Sequence, residues 1–533
     1  MVTSQLTQEI RAAASKRRTF AIISHPDAGK TTLTEKLLLY SGMVRTAGMV
    51  GARKSRKLAT SDWMAMEQER GISITASAMQ FPYKDTIINV LDTPGHQDFC
   101  EDTYRTLTAA DSAIMVIDAA KGVETQTRKL FEVCRLRKIP VLTFINKMDL
   151  EGRPPLDLMT EVEEVLGIHA SAMDWPVGSG REFRGVVNRE QRRLLLFTKT
   201  ASAGASKPDL TELPLDDPSV RDRLAAHVWD QLEHDLELLE VAGNPFSLAA
   251  FQNGEVTPVF FGSALTNFGV EAFFDAFVQL APAARGRLAD TPDGDEVLLD
   301  PVETPFSAYV FKLQANMNPR HRDSTAFLRV CSGRFERDMV VKHHQGKGKV
   351  RLSRPHSMVA KDRNTVDVAY PGDIIGIINP GVFQIGDTIS LTDGFNYKPL
   401  PQFQPEVFAR VRPADTTMRK SFDKGLNQLV LEGTIQILRS LDELDFFIGA
   451  VGRLQFDVLE FRLKSEYRVD AVLEIMSFEA SAWLEGPIAT FKIPSDEVVV
   501  KDGRGRPVVL FRSPWSKNYA RKHNPDHTLL DMG

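Results

Sequence analysis

Short apolar runs alternate with helical patterns along the first half of the chain. Runs rich in Ile, Val and Phe predict five β-strands, at residues 20–24, 86–92, 112–118, 141–146 and 258–263. Apolar positions three and four residues apart predict helices at 31–40, 99–109, 125–137 and 270–280. This alternation is typical of a parallel sheet covered by helices, so the pattern predicts an α/β domain over residues 1–285.

The interval between the fourth and fifth predicted strands is longer than one strand and one helix require. It contains a β-like part at 183–199 and an amphipathic helical pattern at 220–241. We therefore predict a subdomain inserted into the α/β domain at about residues 168–257.

The hydrophobic pattern changes again after residue 285. Residues 286–305 carry Pro, Gly and acidic residues with little periodicity, which is typical of a linker. Short apolar runs separated by Gly turns predict a β-barrel over 306–398. Residues 399–533 predict an α+β sandwich domain, because helical patterns at 418–431 and 454–467 lie among strand patterns. Three further strands are predicted near the end, at 489–493, 498–500 and 508–511.

A phosphate-binding loop is predicted where the first strand meets its helix. Its residues are Ser24, His25, Pro26, Asp27, Ala28, Gly29, Lys30, Thr31 and Thr32. A strand-to-helix turn of this kind surrounds phosphates with backbone N–H groups and a helix N-terminus. Lys30 can then neutralise the outer phosphates, and the Thr31 hydroxyl is a natural magnesium ligand. Ser24 replaces the first glycine of the standard pattern, so a ligand-free turn is the alternative.

A sensor of the terminal phosphate is predicted after the second strand. The segment contains Asp92, Thr93, Pro94, Gly95 and His96. Asp92 can hold magnesium through water, and the Gly95 N–H can contact the terminal phosphate. A polar side chain at the next position can orient the attacking water, which makes His96 the candidate catalytic residue. The alternative for His96 is a structural role in a turn.

Two further motifs predict recognition of guanine. Asn146, Lys147, Met148 and Asp149 follow the fourth strand, and Ser263, Ala264 and Leu265 follow the fifth. A carboxylate at Asp149 can accept hydrogen bonds from two guanine N–H donors, and adenine would leave it unpaired. Backbone N–H groups of Ser263 and Ala264 can bind the base oxygen. The four motifs in this order predict a P-loop GTPase that binds GTP and GDP with Mg²⁺.

Two features between and beyond the motifs have open interpretations. A loop that senses GTP must offer one hydroxyl to magnesium, and Ser73 is better placed for this than the alternative, Thr75. Basic stretches lie at 53–57 and 342–354. Each is either a solvated face or a contact with RNA phosphates.

Composition and charge exclude several classes of protein. The 533 residues, with a formal net charge of -5, provide about three to four domains and do not indicate nucleic-acid binding by bulk charge. Cys100, Cys134 and Cys331 fit no disulfide framework or metal site. No apolar stretch reaches the roughly 18 residues of a membrane span, and the N-terminus lacks a signal-peptide core. We therefore expect a cytoplasmic protein without membrane partners.

The motifs resemble those of the translational GTPases, most closely the bacterial release factors that recycle the codon-reading release factors. The resemblance is carried by residues 24–32, 61–64, 70–75, 92–99, 370–376, 449–457 and 462–467, and it covers essentially the whole chain. It places the family's catalytic histidine on His96 and the hydrophobic pair flanking that histidine on Pro26 and Ile72. Elongation factor G continues with further domains past the one that corresponds to the α+β sandwich. Only about 60 residues follow Ile475 here, too few for two further domains.

The resemblance implies a ribosome-dependent GTPase that promotes dissociation of class I release factors after peptide release. The ribosome and those factors are then its expected partners, and the protein is expected to be a monomer. Two alternatives remain at this stage: another ribosome-associated translational GTPase, and a metabolic GTPase that powers a partner enzyme.

Overall fold

The structure is a computed structural model. It describes residues 2–43, 66–67, 74–198, 207–315, 324–346, 348–359, 362–379, 381–400, 402–442, 445–493 and 497–530. Ser73, Ile72 and the basic stretch 53–57 lie outside these residues. No helix of the described part is both long and apolar enough to cross a membrane.

The helices of the described residues are α1 (Val2–Ser15), α2 (Lys30–Tyr40), α3 (Cys100–Thr108), α4 (Thr125–Leu136), α5 (Pro155–Leu166), α6 (Ser219–Arg223), α7 (Ala226–Ala242), α8 (Leu248–Asn253), α9 (Val270–Leu280), α10 (Arg419–Leu431), α11 (Arg453–Tyr467) and α12 (Pro514–His523). The strands of the nucleotide domain and its insertion are β1 (Arg17–Ser24), β2 (Ser77–Tyr83), β3 (Thr86–Asp92), β4 (Ser112–Asp118), β5 (Val141–Asn146), β6 (His169–Ala172), β7 (Asp174–Val177), β8 (Gly185–Asn188), β9 (Arg193–Thr198), β10 (Asp209–Pro214) and β11 (Val256–Phe261).

The remaining strands are β12 (Arg287–Asp290), β13 (Glu296–Leu299), β14 (Ser307–Ala315), β15 (Ser324–Ser332), β16 (Phe335–Glu336), β17 (Val340–His343), β18 (Gly348–Arg351), β19 (His356–Val359), β20 (Asp362–Thr365), β21 (Val368–Ala369), β22 (Ile374–Ile378), β23 (Thr388–Ser390), β24 (Asn396–Tyr397), β25 (Val407–Pro413), β26 (Gln436–Ser440), β27 (Phe446–Ala450), β28 (Ala471–Ile475), β29 (Ala480–Glu485), β30 (Val498–Lys501), β31 (Pro507–Phe511) and β32 (Thr528–Leu530).

The predicted α/β domain, called the nucleotide domain, is built on a seven-stranded sheet. The strand order is β2-β3-β1-β4-β5-β11-β6. Neighbouring strands are parallel except for β2, which runs antiparallel to β3 at one edge. Alternate residues of β4 enter two different cores, Ile114 and Val116 on one face and Met115 and Ile117 on the other. Both faces are therefore covered, which explains why these strands read as continuous apolar runs.

The insertion predicted at about residues 168–257 begins next to a strand of the main sheet. Residues 169–172 form β6, which pairs with β11 at the edge of the main sheet, so the separate inserted sheet starts with β7. The inserted part is the antiparallel sheet β10-β9-β8-β7 with α6, α7 and α8. The helix predicted at 220–241 is interrupted, because Leu224 and Ala225 adopt extended conformations between α6 and α7.

The predicted linker is an ordered β-hairpin. Its strands β12 and β13 pair around a turn that contains Gly294, and β12 also pairs with β24. The eight-stranded antiparallel sheet that follows has the order β18-β17-β23-β14-β15-β22-β19-β20. Side chains from most of these strands pack into one core, in agreement with the predicted barrel.

The last domain is an eight-stranded antiparallel sheet in the order β28-β25-β27-β26-β30-β31-β29-β32. Helices α10 and α11 pack on strands β25 and β27, and α12 packs near β29 and β31. The strand predicted at 489–493 is wrong. Gly486 has a φ of 120° and Pro487 follows it, so the chain turns there, and β29 precedes the turn.

The basic stretch 342–354 lies largely on the hairpin β17–β18 of the barrel. His343 is buried in the barrel and pairs with buried Asp387 at 2.7 Å, and the half-buried His344 bonds the Ser390 hydroxyl at 2.8 Å. Burial lowers the pKa of His344. Lys349 and Arg351 on β18 are exposed, so these two cations of the stretch are presented to solvent.

Candidate nucleotide-binding site

Four predicted loops meet at the carboxyl edge of the main sheet. They follow β1, β3, β5 and β11, which lie close together in the sheet. The Asn146 amide connects three of them, because its Nδ2 donates to the Ala28 carbonyl and its Oδ1 accepts from the Ala264 N–H, both at 2.8 Å. Asn146 therefore connects the phosphate-binding loop to the two loops, after β5 and after β11, that are predicted to bind guanine.

The turn between β1 and α2 requires glycine at its last position. Gly29 has a φ of 99°, and a Cβ there would collide with the Asn146 amide. Both the left-handed backbone and the close approach of a side chain exclude larger residues. The N-terminus of α2 follows directly, so its free N–H groups face the edge of the sheet.

Lys30 lies at the start of α2 and is buried against the end of β3. Its Nζ bonds Asp92 Oδ1 at 2.6 Å, and the two side chains are only 6% and 3% exposed. Asp92 Oδ2 and the Ser24 hydroxyl are buried without a hydrogen-bond partner. Buried polar atoms are normally paired, so these two groups mark a place that fits a cation and a polar ligand.

The predicted magnesium ligands fit this place in part. Thr31 is half-buried in the first turn of α2, one residue after Lys30. Asp92 offers the unpaired oxygen. Thr75, the alternative to Ser73, has its N–H and hydroxyl directed to Glu67 Oε1 at 3.0 and 3.3 Å. In this conformation its hydroxyl is engaged within the protein.

The loop after β5, which is predicted to contact the guanine base, is held by Asp118, an acid outside the four predicted motifs. Lys147 adopts a φ of 69° and its Nζ bonds buried Asp118 Oδ2 at 2.8 Å. Asp118 is the last residue of β4, as Asp92 is the last residue of β3. An acid at the end of a buried strand was therefore the feature of the sequence that could have indicated Asp118. Met148 is buried and its N–H donates to the Gly262 carbonyl at 3.1 Å. Asp149 is half-buried, and no hydrogen bond to its carboxylate forms within the described residues.

The loop after β11 uses its backbone donors internally. The Ser263 N–H donates to the Phe268 carbonyl at 2.9 Å, and the Ala264 N–H to Asn146 Oδ1. Either N–H could contact a base oxygen, as predicted, only if it shared its hydrogen atom between the base oxygen and its present acceptor. Leu265 is exposed beside them.

The other residues of the first two motifs support the turns. The His25 N–H donates to Thr127 Oγ1, and its ring lies 3.4 Å from Glu124. Asp27 has a φ of 65°, and Thr32 is half-buried in α2. The remaining members pack together: Pro26 lies against Gly95, Thr93 Oγ1 donates to the Ile22 carbonyl, and the Pro94 carbonyl accepts from Thr103.

His96 begins the short 3-10 turn Gln97–Phe99. Its Nδ1 accepts the Asp98 N–H at 3.2 Å and lies 3.3 Å from Asp98 Oδ1. With Nδ1 as acceptor, the neutral ring carries its proton on Nε2. The side chain is 35% exposed, so Nε2 can reach a water molecule. The structure therefore gives His96 a role in the turn and leaves the second nitrogen for chemistry.

Asp98 links this turn to the last domain. Its Oδ2 accepts the Leu454 N–H at 2.8 Å, at the N-terminus of α11, and a Cβ on Gly452 would collide with its carboxylate. A carboxylate at this place satisfies a free N–H and interacts favourably with the helix dipole. The sequence motif includes Asp98, but its partner lies 356 residues away and could not be predicted.

Apolar contacts extend the same junction. Phe99 forms a buried cluster with Met66, Ile74 and Val458, so segments on both sides of the phosphate-sensing region meet α11. Burial raises the pKa of the nearby Glu101, and the Arg105 guanidinium that pairs with it opposes this shift.

The barrel joins this junction through Lys312. Its Nζ bonds the Ala76 carbonyl at 2.6 Å and Asp102 at 3.0 Å, and both side chains are shielded from solvent. The Ala315 N–H in turn donates to Glu432 of the last domain, and Glu432 pairs with buried Arg462 at 2.6 Å. Three domains therefore converge on the residues that flank His96.

Asp149→Asn is expected to lower GDP affinity by about ten- to hundredfold, since one hydrogen bond to a charged group is worth about 1.5–3 kcal/mol. The variant should bind xanthosine diphosphate better than the parent does, because the amide can donate to the extra base oxygen. Equilibrium titration with both nucleotides measures this. Asp157→Asn, an exposed acid in the first turn of α5, is the matched control. Unaltered GDP affinity of Asp149→Asn would contradict the base-reading assignment.

Known protein families and relatives match most of the chain. The model of the elongation factor Tu GTP-binding domain matches residues 15–283, that of elongation factor G domain 2 matches 305–392, and that of the class II release factor RF3 C-terminal domain matches 397–521. Peptide chain release factor 3 of Synechocystis sp. is 53% identical over 506 residues, covering 94% of this chain and 92% of the relative. The chain belongs to the peptide chain release factor 3 family. The same factor of Symbiobacterium thermophilum is 51% identical, with 96% of each chain covered.

Family membership establishes the activity. The chain is a translational GTPase that hydrolyses GTP in translation termination, and the ribosome and guanine nucleotides are its partners. The match of residues 397–521 to the C-terminal domain of the class II release factor RF3 decides between the three alternatives. It excludes a metabolic GTPase and other ribosome-associated GTPases. A crystal structure of a Thermus thermophilus protein, 21% identical, matches with a TM-score of 0.69 over 91% of this chain and 72% of that one. The predicted fold class is confirmed.

Proposed function

We propose that the GTP-bound factor promotes dissociation of class I release factors from the ribosome after peptide release and leaves after hydrolysis. The contact between Asp98 and the N-terminus of α11 carries this proposal. Asp98 lies two residues from His96, so a movement of the phosphate-sensing segment reaches the last domain directly. Such order and domain rearrangements are the usual output of GTPase switches.

The donor set favours Mg²⁺ as the companion of the nucleotide. Asp92 and Thr31 would hold it, together with Ser73, and the unpaired buried Asp92 Oδ2 supports this arrangement. When bound, Mg²⁺ would neutralise charge on the transferred phosphoryl group. Lys30 would bind the outer phosphates, Asp149 would orient the base, and His96 would orient the attacking water.

The chain is proposed to act as a monomer whose GTP-binding domain ends near residue 285. The exposed large apolar side chains of the described residues belong to many different elements, such as Leu136 of α4 and Val472 of β28. Sedimentation at micromolar concentration tests this state, and a dimer would contradict it.

The proposed function is tested by turnover and by factor release. GTP hydrolysis is measured with and without purified 70S ribosomes, and dissociation of a fluorescent class I release factor is followed on ribosomes after peptide release. We expect ribosomes to raise turnover strongly, and GTP with this factor to accelerate dissociation of the class I factor. A dissociation rate that the factor leaves unchanged would contradict the proposal, whereas turnover independent of ribosomes would contradict its ribosome dependence.

Asp98→Ala is expected to uncouple nucleotide binding from ribosome-stimulated hydrolysis. Loss of a helix cap costs about 0.5–2 kcal/mol. Here the lost hydrogen bond joins two domains, so the substitution weakens the contact between them. GDP affinity should stay within about twofold, because Asp98 contacts the domain junction. Stopped-flow turnover with ribosomes should be several-fold slower. Gly452→Ala should reproduce the effect from the other side, because its Cβ would displace the carboxylate.

Asp415→Ala is the matched control for this pair of variants. Asp415 caps a short turn within the last domain by accepting the Thr417 N–H at 2.8 Å, so a similar contact is lost away from the junction. Equal slowing by Asp415→Ala would show that the effect of Asp98→Ala is only a loss of stability.

A further inference from the structure

Helix α12 exposes two aromatic side chains that no core requires. Trp515 is 72% exposed and Tyr519 is 41% exposed, and they are the only exposed Phe, Trp or Tyr side chains of the described residues. The adjacent face of α12 buries Ser516 and Ala520, and Ala520 packs in a core with Phe511. The helix is therefore anchored by small residues, and its aromatic row faces solvent.

The aromatic rings form a continuous stack along the helix. Trp515 and Tyr519 have ring centroids 5.4 Å apart with planes 27° from parallel. Tyr519 and His523 have centroids 3.8 Å apart with planes 21° from parallel. Residues four apart share a helix face, so the three rings make a flat ladder. A ladder of this kind offers a free π-face to a further flat ring.

The sequence that carries the ladder is basic. Residues 504–525 contain six cations and no Asp or Glu: Arg504, Arg506, Arg512, Lys517, Arg521 and Lys522. Three of them already bond within the protein, since Arg506 pairs with Asp502 at 2.8 Å and the Lys517 and Arg521 side chains donate to the Ser481 and Leu529 carbonyls. Lys522 lies beside His523, is exposed, and has no ion-pair partner within the described residues. This local charge opposes the net charge of -5 of the whole chain. An anionic partner that presents flat rings would therefore complement this face.

We propose that this face, Trp515, Tyr519 and His523 with Lys522, binds RNA with unpaired bases. A base stacks on the indole of Trp515, and the flanking cations contact the adjoining phosphates. Stacking platforms with cationic flanks bind single strands irrespective of sequence, because every base has a π-face. A duplex would keep its bases paired inside. This site lies outside the GTP-binding loops and goes beyond the proposed function, since it needs no nucleotide.

The test uses the full chain and a ten-nucleotide single-stranded RNA that carries one central 2-aminopurine. Stacking quenches the fluorescence of that base, so the titration reports stacking as well as affinity. We expect Trp515→Ala to weaken binding by about ten- to hundredfold, the usual range for one stacked base. Trp515→Phe keeps a π-face and should stay close to the parent. Lys522→Ala should lower the slope of log affinity against log salt by about 0.7.

Two controls make the result decisive. Leu136→Ala removes another exposed apolar side chain, on α4, and should leave RNA binding unchanged. The same RNA annealed to its complement should bind the parent more weakly. Full quenching and parent-like affinity in Trp515→Ala would overturn the proposal, and so would equal binding of the duplex. If Trp515→Ala instead reduced co-sedimentation with ribosomes while keeping its RNA affinity, the face would be a protein contact and the RNA assignment would be wrong.

Discussion

Lys30→Ala is expected to lower the affinity for GTP by about a thousandfold. The Lys30 side chain is 6% exposed and lies at the N-terminus of α2, and its ammonium bonds Asp92, whose Oδ2 is unpaired like the buried Ser24 hydroxyl. Without this ammonium, the outer phosphates would be buried next to Asp92 with no counter-charge. Removing one partner of a buried ion pair costs about 3–5 kcal/mol, and 1.4 kcal/mol corresponds to a factor of ten in Kd. Equilibrium titration with fluorescent GTP and GDP measures the loss.

Lys464→Ala is the matched control for the lysine substitution. Lys464 is also paired with a carboxylate, Asp470 at 2.8 Å, but the pair is exposed on the last domain. Such pairs contribute little, so nucleotide binding and stability should not change. GTP binding by Lys30→Ala within a few-fold of the parent would contradict the phosphate-loop assignment, including the substitution of Ser24 for glycine.

The carboxyl edge of the main sheet, where the nucleotide-binding loops lie, could be predicted from the sequence because the strands of this sheet are buried on both faces. Continuous apolar runs indicated β4 and β5 with the bounds that the structure has, and β3 likewise. Parallel strands end at the same edge, so motifs that follow such runs must lie near one another. Local pattern and chain order were sufficient here, and Asn146 joins the motifs as this logic requires.

The junction between domains could not be predicted because its contacts are distant in sequence. Asp98 meets Leu454, and Lys312 meets Asp102, across separations that carry no local signal. The hairpin at 287–299 was missed for a similar reason, since β12 is stabilised by pairing with β24 about a hundred residues later. Composition indicated a linker there, and tertiary pairing determined its structure.

His96→Ala is expected to separate binding from chemistry in this factor. The ring is held at the start of a turn by the Asp98 N–H, and its Nε2 is the nitrogen left to contact water. A group that touches only the attacking water stabilises the transition state and not the bound nucleotide. Ribosome-stimulated hydrolysis should therefore fall by about two orders of magnitude or more, the usual scale for a positioned catalytic group. GDP and GTP affinities should remain near those of the parent.

His227→Ala is a matched control for the loss of an imidazole beside a carboxylate. His227 pairs with Glu182 at 3.0 Å on the insertion, and both side chains are exposed. Its replacement should change neither turnover nor affinity. Thermal unfolding of both variants separates a catalytic loss from a structural one, since His96 also accepts the N–H of the turn and its removal should cost about 1 kcal/mol.

The expected behaviour of His96→Ala on ribosomes follows from the same separation. If GTP binding alone arranges the three-domain junction, the variant should still displace one class I release factor per ribosome. It should then stay bound, because departure requires hydrolysis. Stopped-flow turnover combined with a filter assay for retained factor measures both steps. Unchanged turnover would make His96 a structural turn residue, since the Asp98 bond would then be its only role. Lost nucleotide affinity would place the ring on the nucleotide itself, and a variant that hydrolyses slowly but dissociates at the parental rate would show that departure does not depend on hydrolysis.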